Sequence, residues 1–291
     1  MGTVLNLTVY GIDRDSCEEA VDQTIATMKA LESTLSRHMP GSELARLNQA
    51  AVLYQPSEDL IKVLAMASDL SKKSAGAFDV TILPLLHLHE SIRGTNDHPD
   101  AQQLASARRL VGYEKITQSE RIIRLKNPGM GISLDGIGKG YIVDQGVAAL
   151  RQRGFTNVYV EAGGDLMVSG QKEAAVPWRI GLRSPRPQQN EKLVTVAISD
   201  KAVATSGDYL QAFTPDLRHH HIIDPRSGFS PPELASCTVT APSVALADGL
   251  ATALMVLGKN DALDLIEPMP GCEAYMVDKN LQPCHTTGFF S

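Results

Sequence analysis

"ALADGLATALMVLG", residues 245–258, is a nearly unbroken run of small and aliphatic side chains in which only Asp248 and Thr252 are polar. The pattern predicts a helix over about 243–257, and the i, i+4 spacing puts both polar residues on one face. A carboxylate on a face that is otherwise buried is costly unless something pairs with it. Ser243 is the better N-cap, so Asp248 lies past the first turn and the helix dipole does not account for it. A carboxylate plus a hydroxyl is an all-oxygen pair. It suits a hard cation such as Mg²⁺, which keeps waters and fills its shell with phosphate oxygens.

Working outward from that helix gives the fold class. A second helix is expected at 260–267 and a closing hairpin at "AYMVDKNLQP". Upstream, "NVYVE", "WRIGLRS", "LVTVAIS" and "CTVT" read as strands, as do "RIIRLK" and "GISLD" on either side of the turn "NPGM". "GYIVDQGVAALRQRG" reads as a helix between them. Nearer the start, residues 3–10 alternate like a strand, and "SCEE" (Ser16 to Glu19) fits a capping box for the helix after it. "PSEDLIKVLAMASDLSKKSAG" has acids in its first turn, lysines near its end and Gly76 beyond it, as a helix requires. "DAQQLASARRLVG" is a shorter helix. Helices cluster early and strands in the middle, without regular alternation. The expected class is therefore α+β rather than a doubly wound sheet. The expected organisation is one domain over 1–291, of two lobes, with mixed or antiparallel sheets and packed helices.

Composition narrows the function. At 291 residues, 43% hydrophobic and 21% charged, the chain has the make-up of a soluble globular protein with a sizeable core. A net charge of -6 argues against a nucleic-acid footprint. No apolar run is long enough to span a bilayer. Cys17, Cys237, Cys272 and Cys284 form no C-x-x-C pair and no zinc spacing, and read as reduced thiols. With no signal peptide ahead of "MGTVLNLTVYGID", this points to the cytoplasm. A periplasmic lipoprotein with its leader removed is the alternative.

Four further stretches carry candidate chemistry. "SLDGIGKGY" (133–141) is glycine-rich but fails both the P-loop and the G-x-G-x-x-G patterns. Gly136, Gly138 and Gly140 would let the backbone approach a ligand, and Lys139 could meet a phosphate; a strand-to-helix turn with a solvated lysine explains the stretch as well. "EAGGDLMVSG" (161–170) reads as a hairpin turn at Gly163–Gly164–Asp165. "ATSGDY" (204–209) reads as a turn or a polar pocket wall. "HHHIIDPRSG" (219–228) ends in good turn chemistry, and His219 and His221 would share a face as ligands, or one as a general base. A surface histidine tract is an equal reading. Together with Asp248 and Thr252 these are the parts of a phosphoryl-transfer site.

The succession of motifs resembles the ApbE family, the FAD:protein FMN transferases. It runs through "MGT", "SRHMPGSELARLN", "SAGAFDVTILPLL", "SLDGIGKGYIVD", "VEAGGDLMVSG", "AVATSGDY", "HHIIDPRSG" and "APSVALADGLATALMVLG". The resemblance implies Mg²⁺-dependent transfer of FMN from FAD to a threonine hydroxyl of an acceptor flavoprotein, with release of AMP. It implies Asp248 and Thr252 as side-chain ligands of Mg²⁺, or of Mn²⁺ in its place, and Gly136 as the donor of a backbone carbonyl. Met1, His38, Ala77, Phe78, Asp79, Ser133 and Lys139 fall at FAD-contacting positions, with Ile222 beside them. Asn48 ends "SELARLN", a motif near the flavin in relatives. His221 matches the histidine proposed to deprotonate the acceptor. Relatives usually read Asp-Leu-Gly where Ser133-Leu134-Asp135 stands, and often carry an aromatic residue at the position of His38. The same site with water as nucleophile would be an FAD pyrophosphatase. A flavin carrier without turnover is a third reading, against which the Asp248/Thr252 pair speaks.

Overall fold

The computed structural model describes residues 2–11, 13–94, 99–172, 176–186 and 194–291. Strand β1 (Leu5–Val9) leads into helix α1 (Arg14–Leu35). That helix begins one turn earlier than "SCEE" predicts. The Asp13 carboxylate accepts from the backbone N–H of Asp15 and Ser16, and the Ser16 hydroxyl donates to the same carboxylate instead of capping. Next come α2 (Glu43–Ala50), β2 (Val52–Tyr54), α3 (Glu58–Lys73, capped by Ser57), α4 (Leu83–Ser91) and α5 (Ala101–Arg108, capped by Asp100). Strands β3 (Ile116–Gln118) and β4 (Ile122–Leu125) pair with β2 in a small antiparallel sheet.

"GISLD" is not a strand. Residues 131–135 run as irregular chain into α6 (Gly138–Gln152). Their backbone is held from elsewhere: Ile132 by the Asn48 side chain, and Ser133 N–H by the Val80 carbonyl at 2.8 Å. An apolar run can be held by such outside partners as well as by a sheet ladder, and periodicity does not separate the two.

The remaining elements are β5 (Val158–Ala162), β6 (Asp165–Ser169), β7 (Trp178–Leu182), β8 (Val194–Ile198), β9 (Ala202–Gly207), β10 (Leu234–Ala241), α7 (Val244–Leu257), α8 (Lys259–Ile266), β11 (Glu273–Asp278) and β12 (Pro283–His285). The main sheet has the order β1-β5-β6-β9-β10-β11-β12, and every pairing is antiparallel. β5 and β6 are joined by Gly163 and Gly164 alone. Both have positive φ (57° and 98°), as a two-residue hairpin turn of the I′ kind demands. "ATSGDY", read as a turn or a polar pocket wall, is for the most part strand β9, with Thr205 and Ser206 lining a cavity; only Asp208 and Tyr209 lie beyond the strand.

The layers follow from which faces are apolar. α6 packs on β5 and β6, and α7 packs on β9 and β10. α1 lies over α6, with Ala20, Met28, Leu31 and Leu35 turned into the core. α7 is therefore covered on all sides, which is why its sequence is apolar all round. The outer face of β6 and β9 is covered by the β7–β8 hairpin. Trp178, Leu182, Val196 and Ile198 form a second apolar cluster there with Leu166, Val168 and Val203. Cys17, Cys237, Cys272 and Cys284 are all free thiols. Among the described residues no helix is long and apolar enough to cross a membrane.

Candidate functional site

A cavity of about 330 Å³ opens where α6, α7, the end of β9 and the irregular segments 77–82, 133–136 and 221–225 meet. Ala77, Phe78, Asp79, Ser133, Gly136, Lys139, His221, Ile222, Asp248 and Thr252 all line it. These positions come from four separate stretches of the sequence.

Asp248 and Thr252 sit one helical turn apart on α7, as the spacing requires. Asp248 is buried, yet its one hydrogen bond among the described residues is long: the N–H of Gly140 donates to Oδ2 at 3.3 Å. Burial pushes its carboxyl well above the ordinary range, and the nearby Asp165 carboxylate adds to the rise, with Lys139 and the Gly140 amide opposing. Thr252 Oγ1 lies 3.3 Å from Ser206 Oγ. A side chain at Gly136 would come within 3.0 Å of Thr252 Oγ1, and one at Gly249 within 3.8 Å of the Gly136 carbonyl oxygen. The backbone of 136 is thus pressed against the polar face of α7. A carboxylate short of donors and a hydroxyl share that face with the Gly136 backbone beside them, and an oxygen-seeking divalent cation fits that chemistry. Among the described residues no three His, Cys, Asp or Glu side chains form a metal cluster by themselves. A cation here would draw the rest of its shell from water or phosphate oxygens.

Lys139 lies in the first turn of α6, and its ammonium pairs with Asp165 across the β5–β6 turn. Nζ also donates to the Ala162 carbonyl at 3.3 Å. Burial alone would lower the lysine pKa, but Asp165 and Asp248 outweigh it and hold the group charged. Gly163–Gly164–Asp165 is therefore both a hairpin turn and part of the cavity wall. The glycine stretch divides differently from its reading as a ligand cradle. Only Gly136 faces the cavity. A side chain at Gly140 would meet the Val244 carbonyl at 2.5 Å and the Ala245 nitrogen at 2.7 Å, so its close backbone approach is to α7. Gly138 stands against the Leu134 side chain.

His221 reaches the cavity from a short irregular hairpin. Its backbone N–H donates to the Gln211 carbonyl at 3.0 Å, and its Nδ1 is buried with no hydrogen-bond partner among the described residues. Burial lowers its pKa, with Gln211 and Asp135 opposing, so the ring is neutral at physiological pH. His219 takes no part in the cavity lining. Its ring stacks on His89, with centroids 6.3 Å apart.

His38 is exposed and is not among the residues that line the cavity. Asn48 does not line it either. Its amide accepts from Ile132 N–H at 2.7 Å and donates to Ile132 C=O at 2.8 Å, which holds the segment that carries Ser133. Met1 lies outside the described residues. Arg37, next to His38, is the residue that sequence reasoning missed. It lines the cavity, binds Asp135 at 2.9 Å and reaches Glu90 at 3.3 Å, with its side chain only 12% exposed. A single arginine in a loop carries no periodic signal that separates it from a solvated one.

The ApbE family model matches residues 1–276. The chain belongs to the ApbE family. It is 33% identical over 262 residues to the FAD:protein FMN transferase of Haemophilus influenzae, covering 86% of this chain and 76% of that one. To the FAD:protein FMN transferase of Klebsiella pneumoniae it is 31% identical over 289 residues, covering 96% and 82%. Among solved structures, the flavin transferase ApbE from Vibrio cholerae superposes with a TM-score of 0.85 at 29% identity, over 99% of this chain and 95% of that one. The ApbE protein from Thermotoga maritima gives 0.88 at 26%, over 100% and 96%. This ApbE chain therefore shares an α+β architecture with its relatives.

Proposed function

We propose that this chain transfers FMN from FAD to a threonine hydroxyl of an acceptor flavoprotein, releasing AMP. The observation that carries this reading is that Asp248, Thr252 and Gly136 line the cavity that also holds Lys139 and His221. Asp248, Thr252 and the Gly136 carbonyl would hold Mg²⁺, or Mn²⁺ in its place. Bound there, the cation supplies charge neutralisation at the phosphates and at the departing AMP. The chain's own groups do the rest. Lys139 offers a permanent positive charge to the pyrophosphate. Ala77, Phe78, Asp79, Ser133 and Ile222 form the walls against which FAD would rest. The neutral ring of His221 takes the proton from the acceptor hydroxyl as its oxygen attacks the FMN phosphorus. The new P–O bond forms as the pyrophosphate P–O bond breaks, and AMP departs in line.

Intact-mass measurement of candidate acceptor flavoproteins, mixed with the enzyme, FAD and Mg²⁺, tests this. The expected result is a gain of one FMN residue on a threonine, accompanied by AMP. AMP release at the same rate with no acceptor present, and no mass gain on any threonine, would replace the transferase with a pyrophosphatase.

A further inference from the structure

Asp144 is a half-buried carboxylate that the transfer reaction does not use. It lies on α6 one turn after Gly140, so both face the start of α7. Its two oxygens accept from the first two amides of α7: Val244 N–H at 2.7 Å and Ala245 N–H at 2.9 Å. Ser243, the N-cap, takes the amide of Leu246 at 3.4 Å. The opening amides of a helix have no partner within it, so Asp144 completes a cap from a different helix. One turn back, the bare Cα of Gly140 lets the two backbones touch, and its N–H donates to Asp248. α6 thus grips α7 at two levels, and the second level is the candidate cation ligand itself. Burial raises its pKa to about 6 against the opposing pull of the two amides, so its charge is costly.

We infer that Asp144 is a positioning residue that fixes the start of α7, and through it the placement of Asp248 and Thr252 against the Gly136 carbonyl. It acts on cation affinity without touching the cation. The inference rests on the reading that Asp248 and Thr252 hold a divalent cation. Asp144→Asn keeps the size but turns a donor toward one of the two helix amides.

The test is direct Mn²⁺ binding in the presence of FAD, followed by the loss of the free-ion EPR signal. Wild type, Asp144→Asn, Gly140→Ala and Asp248→Ala are compared, each checked for folding by its melting temperature. Wild type is expected to bind and Asp248→Ala to lose binding. Folded Asp144→Asn is expected to bind about tenfold more weakly or worse, the usual scale for a group behind a metal ligand. Gly140→Ala leaves Asp144 intact but pushes the helices apart, and is expected to weaken binding likewise. It keeps the inference open to refutation if the asparagine variant does not fold. Folded Asp144→Asn or Gly140→Ala that binds Mn²⁺ within twofold of wild type overturns the inference and leaves the cation reading standing. Wild type that binds no Mn²⁺ overturns the cation reading, and the inference with it.

Discussion

Two buried aspartates near the end of β9 have opposite surroundings. Asp208, just beyond the strand, is completely buried and saturated. Arg186 binds both its oxygens, at 2.9 and 2.8 Å, and Lys279 stands 3.8 Å away. It ties the segment after β7, the end of β9 and the turn after β11 into one ionic knot. Asp248, on α7, is nearly as buried, yet it receives one long hydrogen bond and faces a second carboxylate. A carboxylate whose donors are all present serves the fold. A carboxylate left short of donors costs stability and is available to a ligand. The contrast separates structural from chemical acids more sharply than burial does.

The comparison breaks most visibly at Asp208. Asp208→Ala leaves Arg186 without its partner, and the expected loss is about 3–5 kcal/mol in denaturant unfolding. A loss under about 1 kcal/mol, the scale of an exposed pair, would place Asp208 with ordinary surface charges. Asp248→Ala is expected to do the reverse. Its melting temperature holds or rises, because an under-paired buried charge is gone, while FMN transfer falls by at least about 100-fold. Full activity in that variant would remove the cation assignment.

Asn48 sharpens the same comparison at lower cost. Asn48→Ala leaves the Ile132 amide and carbonyl without their partner, with an expected loss of about 1–3 kcal/mol by chemical denaturation. FAD binding by fluorescence should weaken along with it, since Ser133 is the next residue. Unchanged FAD affinity would detach Asn48 from the site. The smallest effect is on pH. The His221 pKa is lowered, so its neutral, proton-accepting form persists below pH 6.5. The acid limb of kcat/KM is expected below that value, and should vanish in His221→Ala against whatever residual rate remains. An acid limb above pH 6.5 would mean that another group sets it.

Much of this was legible in the chain. Helix α7 with its two polar residues and its cap at Ser243, and the Gly163–Gly164 turn, are local patterns with local causes. Where expectation and structure part, the cause is local at α1, where Asp13 caps in place of Ser16, and remote elsewhere. "GISLD" has the composition of a strand, but Asn48 and Val80 claim its backbone. Gly140 has the look of a ligand-facing glycine, yet α7 occupies the space beside it. His219 and His221 are two residues apart, but one stacks on His89 and the other enters the cavity.

By itself the sequence determined which residue types were present and how segments such as α7 and the Gly163–Gly164 hairpin would coil, cap or turn. Those properties depend on side chains within a few positions of one another. It also held the order of motifs that places the chain among its relatives. Tertiary structure alone decided who meets whom. Lys139 finds Asp165 from 26 residues away, Arg37 finds Asp135 from 98, and Gly140 finds Asp248 from 108. Such pairs have no periodic signature, because they arise from the stacking of whole helices and strands. The same carboxylate is structural or chemical according to how many donors that stacking brings to it.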